Sequence, residues 1–220
     1  MHDTVIYLGP TLSQPEASSI LDATYLPPVC RGDLGRLPEE TRIVGIIDGE
    51  FYQKLAVSPK EIMPLLERGV QVFGASSMGA LRAAEIHRYG MIGVGEIFRM
   101  FRDGILDGDD EVALVYDRNS YRHFSEPLVN LRRVLELALA EHVIDRDQME
   151  SLVLQMKRLY FPDRSYRALQ ALGPQLGDFF RRIALPDVKR DDARELLLAI
   201  KTVRGQECIA ADANVADRRF

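Results

Sequence analysis

The chain is 220 residues long and 46% apolar, enough for one packed core with an appended helical part. A net charge of −5, with acids and bases interspersed, argues against a dedicated nucleic-acid binder, because neutralising phosphates takes a basic surface. Cys30 and Cys208 form no CxxC or disulfide framework, the opening MHDTVIYLGP lacks a signal-peptide pattern, and no apolar run reaches bilayer-spanning length. The expectation is a soluble, cytoplasmic protein whose motifs call for no metal or cofactor.

Thr4 to Leu8 is a β-branched apolar run that stops at Gly9-Pro10. Ser13-Gln14-Pro15-Glu16 follows with capping-box spacing, so a strand feeds a helix. Tyr25 to Leu37 is rich in Pro, Gly and charge and reads as an ordered loop with one helical turn. Thr41 to Ile47 is a second strand, ending at Asp48-Gly49, and Ser58-Pro59-Lys60-Glu61 opens a helix that closes at Arg68-Gly69. The chain centres on Val70 to Glu85, VQVFGASSMGALRAAE, which reads as strand, tight turn and helix start. Three alternations of strand and helix predict parallel βαβ units. Right-handed crossovers would bring Gly9-Pro10-Thr11, Asp48-Gly49 and Ser76-Ser77 to the carboxyl edge of one sheet, where open α/β sheets bind ligands.

Tyr89 to Gly95 is a glycine-punctuated break, and helical periodicity resumes over Glu96 to Arg102. Ile105 to Asp110 is an acidic turn, and Glu111 to Tyr116 is strand-like. From Pro127 onward Leu128 to Glu141, Asp147 to Tyr160, Ser165 to Ala171 and Asp191 to Val203 carry apolar residues at helical spacing, and Gln206 to Phe220 reads as a loosely held tail. The expected class is therefore α/β, a parallel sheet in the N-terminal half followed by an all-helical portion. The expected parts are 1–125 for the α/β core with its site, 126–205 for the helices, and 206–220 for the tail.

Ser77 sits where a buried strand gives way to a helix whose first N–H groups are free, a place for chemistry on an anion as well as for an ordinary helix cap. GASSMG only partly matches Gly-x-Ser-x-Gly, because Gly79 follows Ser77 at the right distance while Gly74 lies three residues before it. If Ser77 is a nucleophile, the N–H groups of Met78 and Gly79 are the natural oxyanion donors. Ser76 is the adjacent alternative. Of His2, His87, His123 and His142, His87 lies too far along the helix to serve as base, and nothing in the flanks of His123 returns it to the site. Lys60 is the other candidate, at the second position of a helix starting at the same sheet edge, where the helix dipole opposes an ammonium and a desolvated lysine can accept a serine proton. Asp48 can bind a hydroxyl, orient the lysine or cap its turn, and Arg82 can meet a carboxylate or pair with Glu85 or Asp48. The DGDDE run lacks EF-hand spacing. Arg118, Arg122, Arg132 and Arg133 form a cluster suited to docking an acidic protein.

GPTLS at Gly9, PPVCRGD at Pro27, IDGEF at Ile47, KEI at Lys60, GASSMGALRAAE at Gly74, YGMIGVGEI at Tyr89, DDEVAL at Asp109 and PLVN at Pro127 together resemble the TfuA family, in order over roughly the first 130 residues. The resemblance implies a partner of YcaO enzymes in peptide backbone thioamidation, associated with release of sulfur from a ThiS-like carrier ending in a Gly-Gly thiocarboxylate. It also implies a serine–lysine site, falling on Ser77 and, through the KEI match, on Lys60, with Pro59 where a polar residue is expected. The modified peptide would be met indirectly, through the YcaO enzyme. The rival expectation is a non-catalytic adaptor that gathers carrier and peptide at that enzyme. A nucleotide-binding reading ranks last, because the turns carry no phosphate-loop fingerprint.

Overall fold

The apolar runs at Thr4, Thr41 and Val70 expected as strands pair into one parallel sheet. The computed structural model describes residues 3–51 and 55–217, with 207–217 by their backbone course alone. His2, residues 218–220 and the Cys208 side chain lie outside that description.

The first half runs β1 (Thr4–Tyr7), α1 (Gln14–Ile20), β2 (Thr24–Leu26), a 3-10 turn at Leu34–Arg36, β3 (Ile43–Ile46), α2 (Pro59–Glu67), β4 (Gln71–Gly74), α3 (Met78–Ile86), β5 (Ile92–Gly93) and α4 (Gly95–Arg102). The second half is helical: α5 (Leu128–Ala140), α6 (Arg146–Arg158), α7 (Tyr166–Leu172), α8 (Leu176–Arg182) and α9 (Val188–Asp217). The sheet order is β2-β1-β3-β4-β5, every pairing parallel. Tyr7 faces Ile46 and Ile46 faces Gly74, so β1, β3 and β4 end level with one another. Local chemistry sets the helix starts. Ser13 Oγ accepts the Glu16 N–H at 3.4 Å, and Glu61 Oε1 accepts the Ser58 N–H at 2.9 Å.

Side chains alternate across the sheet, as the strand pleat dictates, and both faces are covered. Val5, Tyr7, Val44, Ile46 and Val72 pack with Ile62, Ala80, Ala83 and Ile97 from α2, α3 and α4. Ile6, Ile43 and Phe73 pack with Ala17 of α1 and with Ala193, Leu196, Leu197 and Ile200 of α9. Gly45 lets α9 lie close, since a Cβ there would meet Leu196 and Ile200 at 3.1 Å. Helices α5 to α8 form a separate cluster around Leu131, Leu135, Leu152, Met156, Leu169 and Phe179. The helical half is thus divided: four helices build a lobe, and the last returns to complete the α/β layer.

Several local readings differ from the sequence expectation, among them the short strand β5 inside the Tyr89 to Gly95 break and the helix α8 that no expected helix covers. Tyr25 to Leu37 begins with an edge strand, β2, before becoming the expected loop with its single 3-10 turn. Glu111 to Tyr116 is not a strand: Glu111 ends a 3-10 turn, and Tyr116 makes only an isolated bridge to His123. Its apolar side chains fill space instead of pairing, with Val112 fully buried. Helix α9 begins at Val188, ahead of the expected Asp191, and runs into the stretch expected as a tail. Among the described residues no helix is long and apolar enough to cross a membrane.

Candidate active site

The three turns expected at the carboxyl edge do meet there. Asp48, one residue beyond the expected strand Thr41 to Ile47, is 2% exposed. Its Oδ2 accepts the N–H groups of Gly9 at 2.9 Å and Thr11 at 3.1 Å, and its Oδ1 accepts the Thr11 hydroxyl at 2.6 Å. The carboxylate therefore ties the turn after β1 to the end of β3. Three charge-assisted bonds to buried donors make it a fixed wall of the site.

The turn after β4 is tight because two glycines remove side chains. A Cβ on Gly79 would lie 1.7 Å from the Ile46 carbonyl oxygen, and one on Gly74 would lie 2.2 Å from that of Gly79. Helix α3 consequently starts directly against the ends of β3 and β4. Between the glycines, Ser76 has φ +65°, and the Ser77 N–H donates back to the Ala75 carbonyl at 2.8 Å. A non-glycine residue in the left-handed region is uncommon and stores strain that the surrounding packing must hold. Ser76 is fully buried, and its Oγ has no hydrogen-bond partner among the described residues. Ser77 is the N-cap of α3 by position, yet its side chain makes no capping bond. Ser77 instead helps line a small cavity of about 20 Å³ with Pro10, Asp48, Gly49, Tyr116 and Lys189.

Lys189 is the residue that sequence reasoning missed. It occupies the second position of α9, is 2% exposed, and donates from Nζ to the Val112 carbonyl at 2.9 Å. Burial pulls its proton affinity below the ordinary lysine range, opposed by the negative charges of Asp48, Asp187 and Glu126. The positive end of the α9 dipole pushes in the same direction as burial. The sequence signal was present but faint: Asp187 precedes the helix as a capping residue, with Pro186 before it.

Lys60 is exposed in the first turn of α2 and is not among the residues lining the Ser77 cavity. The oxyanion donors expected at Met78 and Gly79 divide: the Gly79 N–H donates to the Ile47 carbonyl at 3.4 Å, while Met78, first in its helix, has no intrahelical acceptor. Arg82 pairs with Glu85 on the same helix and also lies outside the cavity lining. His123 returns after all, with Nε2 at 2.8 Å from the Pro10 carbonyl at the rim.

A second cavity of about 260 Å³ adjoins the first, sharing Gly49, Phe51, Leu114 and Tyr116 as walls. Most of its lining is apolar. At its mouth the Tyr116 hydroxyl donates to Glu50 at 3.3 Å, and Arg118 reaches the same carboxylate at 3.3 Å. Burial raises the Tyr116 phenol well above its ordinary range, so it stays a donor. The arginines expected as one docking cluster are largely paired. Arg132 meets Glu111 at 2.7 Å, Arg133 meets Glu96 and Glu136, and Arg118 meets Glu50. Among the described residues no three His, Cys, Asp or Glu side chains are grouped to hold a metal ion.

The arrangement offers a hydroxyl freed from capping, an amine whose burial favours the neutral form, and a helix N-terminus facing the same corner. That set can run nucleophilic acyl chemistry on a narrow substrate. No curated protein matches the sequence. The family model described as TfuA-like protein matches residues 48–165, more than half of the chain, and the chain belongs to that family.

Proposed function

We propose that the protein hydrolyses the terminal thiocarboxylate of a ThiS-like sulfur carrier, within the accessory role in YcaO-dependent peptide thioamidation that TfuA-like membership supports. One observation carries the reading: Ser77 and the buried Lys189 line one cavity at the carboxyl edge of the sheet. Lys189 takes the base role that the family resemblance, through the KEI match, placed on Lys60, because it shares a cavity with the serine and burial favours its neutral form.

In this mechanism the carrier tail lies in the larger apolar cavity and its last carbonyl carbon reaches Ser77. Terminal glycines suit such a path, having no side chains to exclude. Ser77 Oγ attacks that carbon as Lys189 Nζ takes the hydroxyl proton. Negative charge gathers on the carbonyl oxygen, near the Met78 N–H and the positive end of α3. Collapse breaks the C–S bond, and the sulfur leaves as sulfide carrying the proton that Lys189 returns. The ester on Ser77 is then attacked by water, Lys189 again accepts a proton, and the carrier departs as a carboxylate with Ser77 restored.

The test is sulfide release from a thiocarboxylated carrier without any YcaO enzyme, comparing wild type with Ser77→Ala, Lys189→Met and Lys60→Ala. The reading expects release by wild type and Lys60→Ala alone. Release by Ser77→Ala at the wild-type rate would overturn it, and no release by any of the four would favour the adaptor.

A further inference from the structure

Asn130 is 4% exposed on an α5 surface where Leu128, Val129 and Leu131 are buried beside it. A buried amide among apolar side chains is costly unless its groups are bonded, so its partners indicate what it is for. Its Oδ1 accepts the Val188 N–H at 2.9 Å, and its Nδ2 donates to Asp187 Oδ1 at 3.3 Å. Asp187 Oδ1 also accepts the Arg190 N–H at 3.2 Å, which caps the start of α9. One residue earlier, the Tyr166 hydroxyl donates to the Pro186 carbonyl at 3.1 Å. Pro186, Asp187 and Val188 are thus each gripped by the helical lobe, and the next residue is Lys189.

We propose that Asn130 is a positioning residue, clamping the Asp187–Val188 start of α9 so that the Lys189 amine is held in the cavity that Ser77 lines. Asp187 is its partner and places a negative charge beside the amine. The proposal rests on the serine–lysine reading and adds that the helical lobe, not the sheet, sets the lysine. It also gives the PLVN stretch, which ends at Asn130, a physical role.

The charges facing Lys189 come from three directions: Asp48 after β3, Asp187 at the head of α9, and Glu126 ahead of α5. His123 acts on Glu126, and Asp48 is held by Gly9 and Thr11. Asp187→Asn keeps an acceptor for the helix cap and removes one negative charge, so Lys189 releases its proton more readily. Asn130→Asp keeps the acceptor for Val188, loses the donor to Asp187 and adds a negative charge, so Lys189 holds its proton more tightly. The two substitutions therefore move the titration of one amine in opposite directions. A scaffold role alone would lower stability and leave that titration where it is.

The experiment is the pH profile of kcat/KM for sulfide release from a thiocarboxylated carrier, with the full chain as wild type, Asp187→Asn, Asn130→Asp, Asn130→Ala and Lys189→Met, each checked for folding by circular dichroism. The acidic limb is expected to move to lower pH in Asp187→Asn and to higher pH in Asn130→Asp, each by about half a unit or more. Asn130→Ala is expected to lower kcat about tenfold or more with a smaller change in KM, the cost of a misplaced base. If Asn130→Asp does not fold, the kcat loss in Asn130→Ala together with the downward shift in Asp187→Asn decides. Limbs fixed at the wild-type position, with Lys189→Met inactive, would overturn the clamp and leave the serine–lysine reading standing. Activity retained in Lys189→Met would overturn that reading and the clamp with it.

Discussion

Two helices begin at the carboxyl edge of the sheet with a lysine at their second position, α2 with Lys60 and α9 with Lys189. Sequence spacing treats them alike, since both place a cation against the positive end of a helix. Tertiary structure separates them. The first turn of α2 faces outward and leaves Lys60 exposed, whereas α9 is pressed onto the sheet beside Gly45 and carries Lys189 inside. Burial acts on Lys189, and desolvation is a strong lever on a lysine's proton affinity. A helix start makes a lysine eligible to be a base; in the proposed mechanism, exclusion of water by the fold selects Lys189 for that role.

The comparison can be broken at its strong end. Ser77→Ala and Lys189→Met should each lower kcat for sulfide release about a thousandfold or more, and the double variant should be no worse than either, as groups acting as one unit behave. Independent, multiplying losses would mean that the two residues do not share a step.

The wall between the two helix starts comes next. Asp48→Ala removes the acceptor for Gly9 and Thr11 and strips a negative charge from beside Lys189. It should cost about 3 kcal/mol in urea unfolding, in line with other buried charged acceptors. An unchanged midpoint would show that the turn after β1 holds without it.

A smaller effect reads the amine itself. Because burial lowers the proton affinity of Lys189, its neutral form should accumulate at lower pH than for a free lysine. The rate should therefore rise with pH along a limb below about 10.4, the ordinary lysine value, and level off once the amine is neutral. The smallest effect is the sharpest comparison: Lys60→Ala should keep sulfide release within about twofold of wild type, as an exposed substitution away from the reacting atoms does. A loss matching that of Lys189→Met would give the base role back to Lys60.

Much of the frame was legible because it is written locally. The runs at Thr4, Thr41 and Val70 are β1, β3 and β4, and the capping boxes at Ser13 and Ser58 mark α1 and α2. The meeting of the turns at Gly9, Asp48 and Ser77 followed from strand–helix alternation and handedness. Strand β2 was hidden because three residues at the head of a Pro- and Gly-rich loop carry no periodicity, and β5 because two residues carry none. Glu111 to Tyr116 misled because an apolar run of that length fits a strand and a cavity wall equally well. Lys189 left only a faint signal for another reason. Its burial depends on α9 crossing back from the lobe to the sheet, and its position on the hold Asn130 has over Asp187, neither of which is encoded near either residue.

The most direct test of the central claim is the mass of the protein in the first turnover with a thiocarboxylated carrier, quenched in acid. The account predicts a species equal to both chains less hydrogen sulfide, with the ester mapped to Ser77 and absent from Ser77→Ala. Sulfide released in that turnover with no such species, or an ester mapped to Ser76, would contradict it.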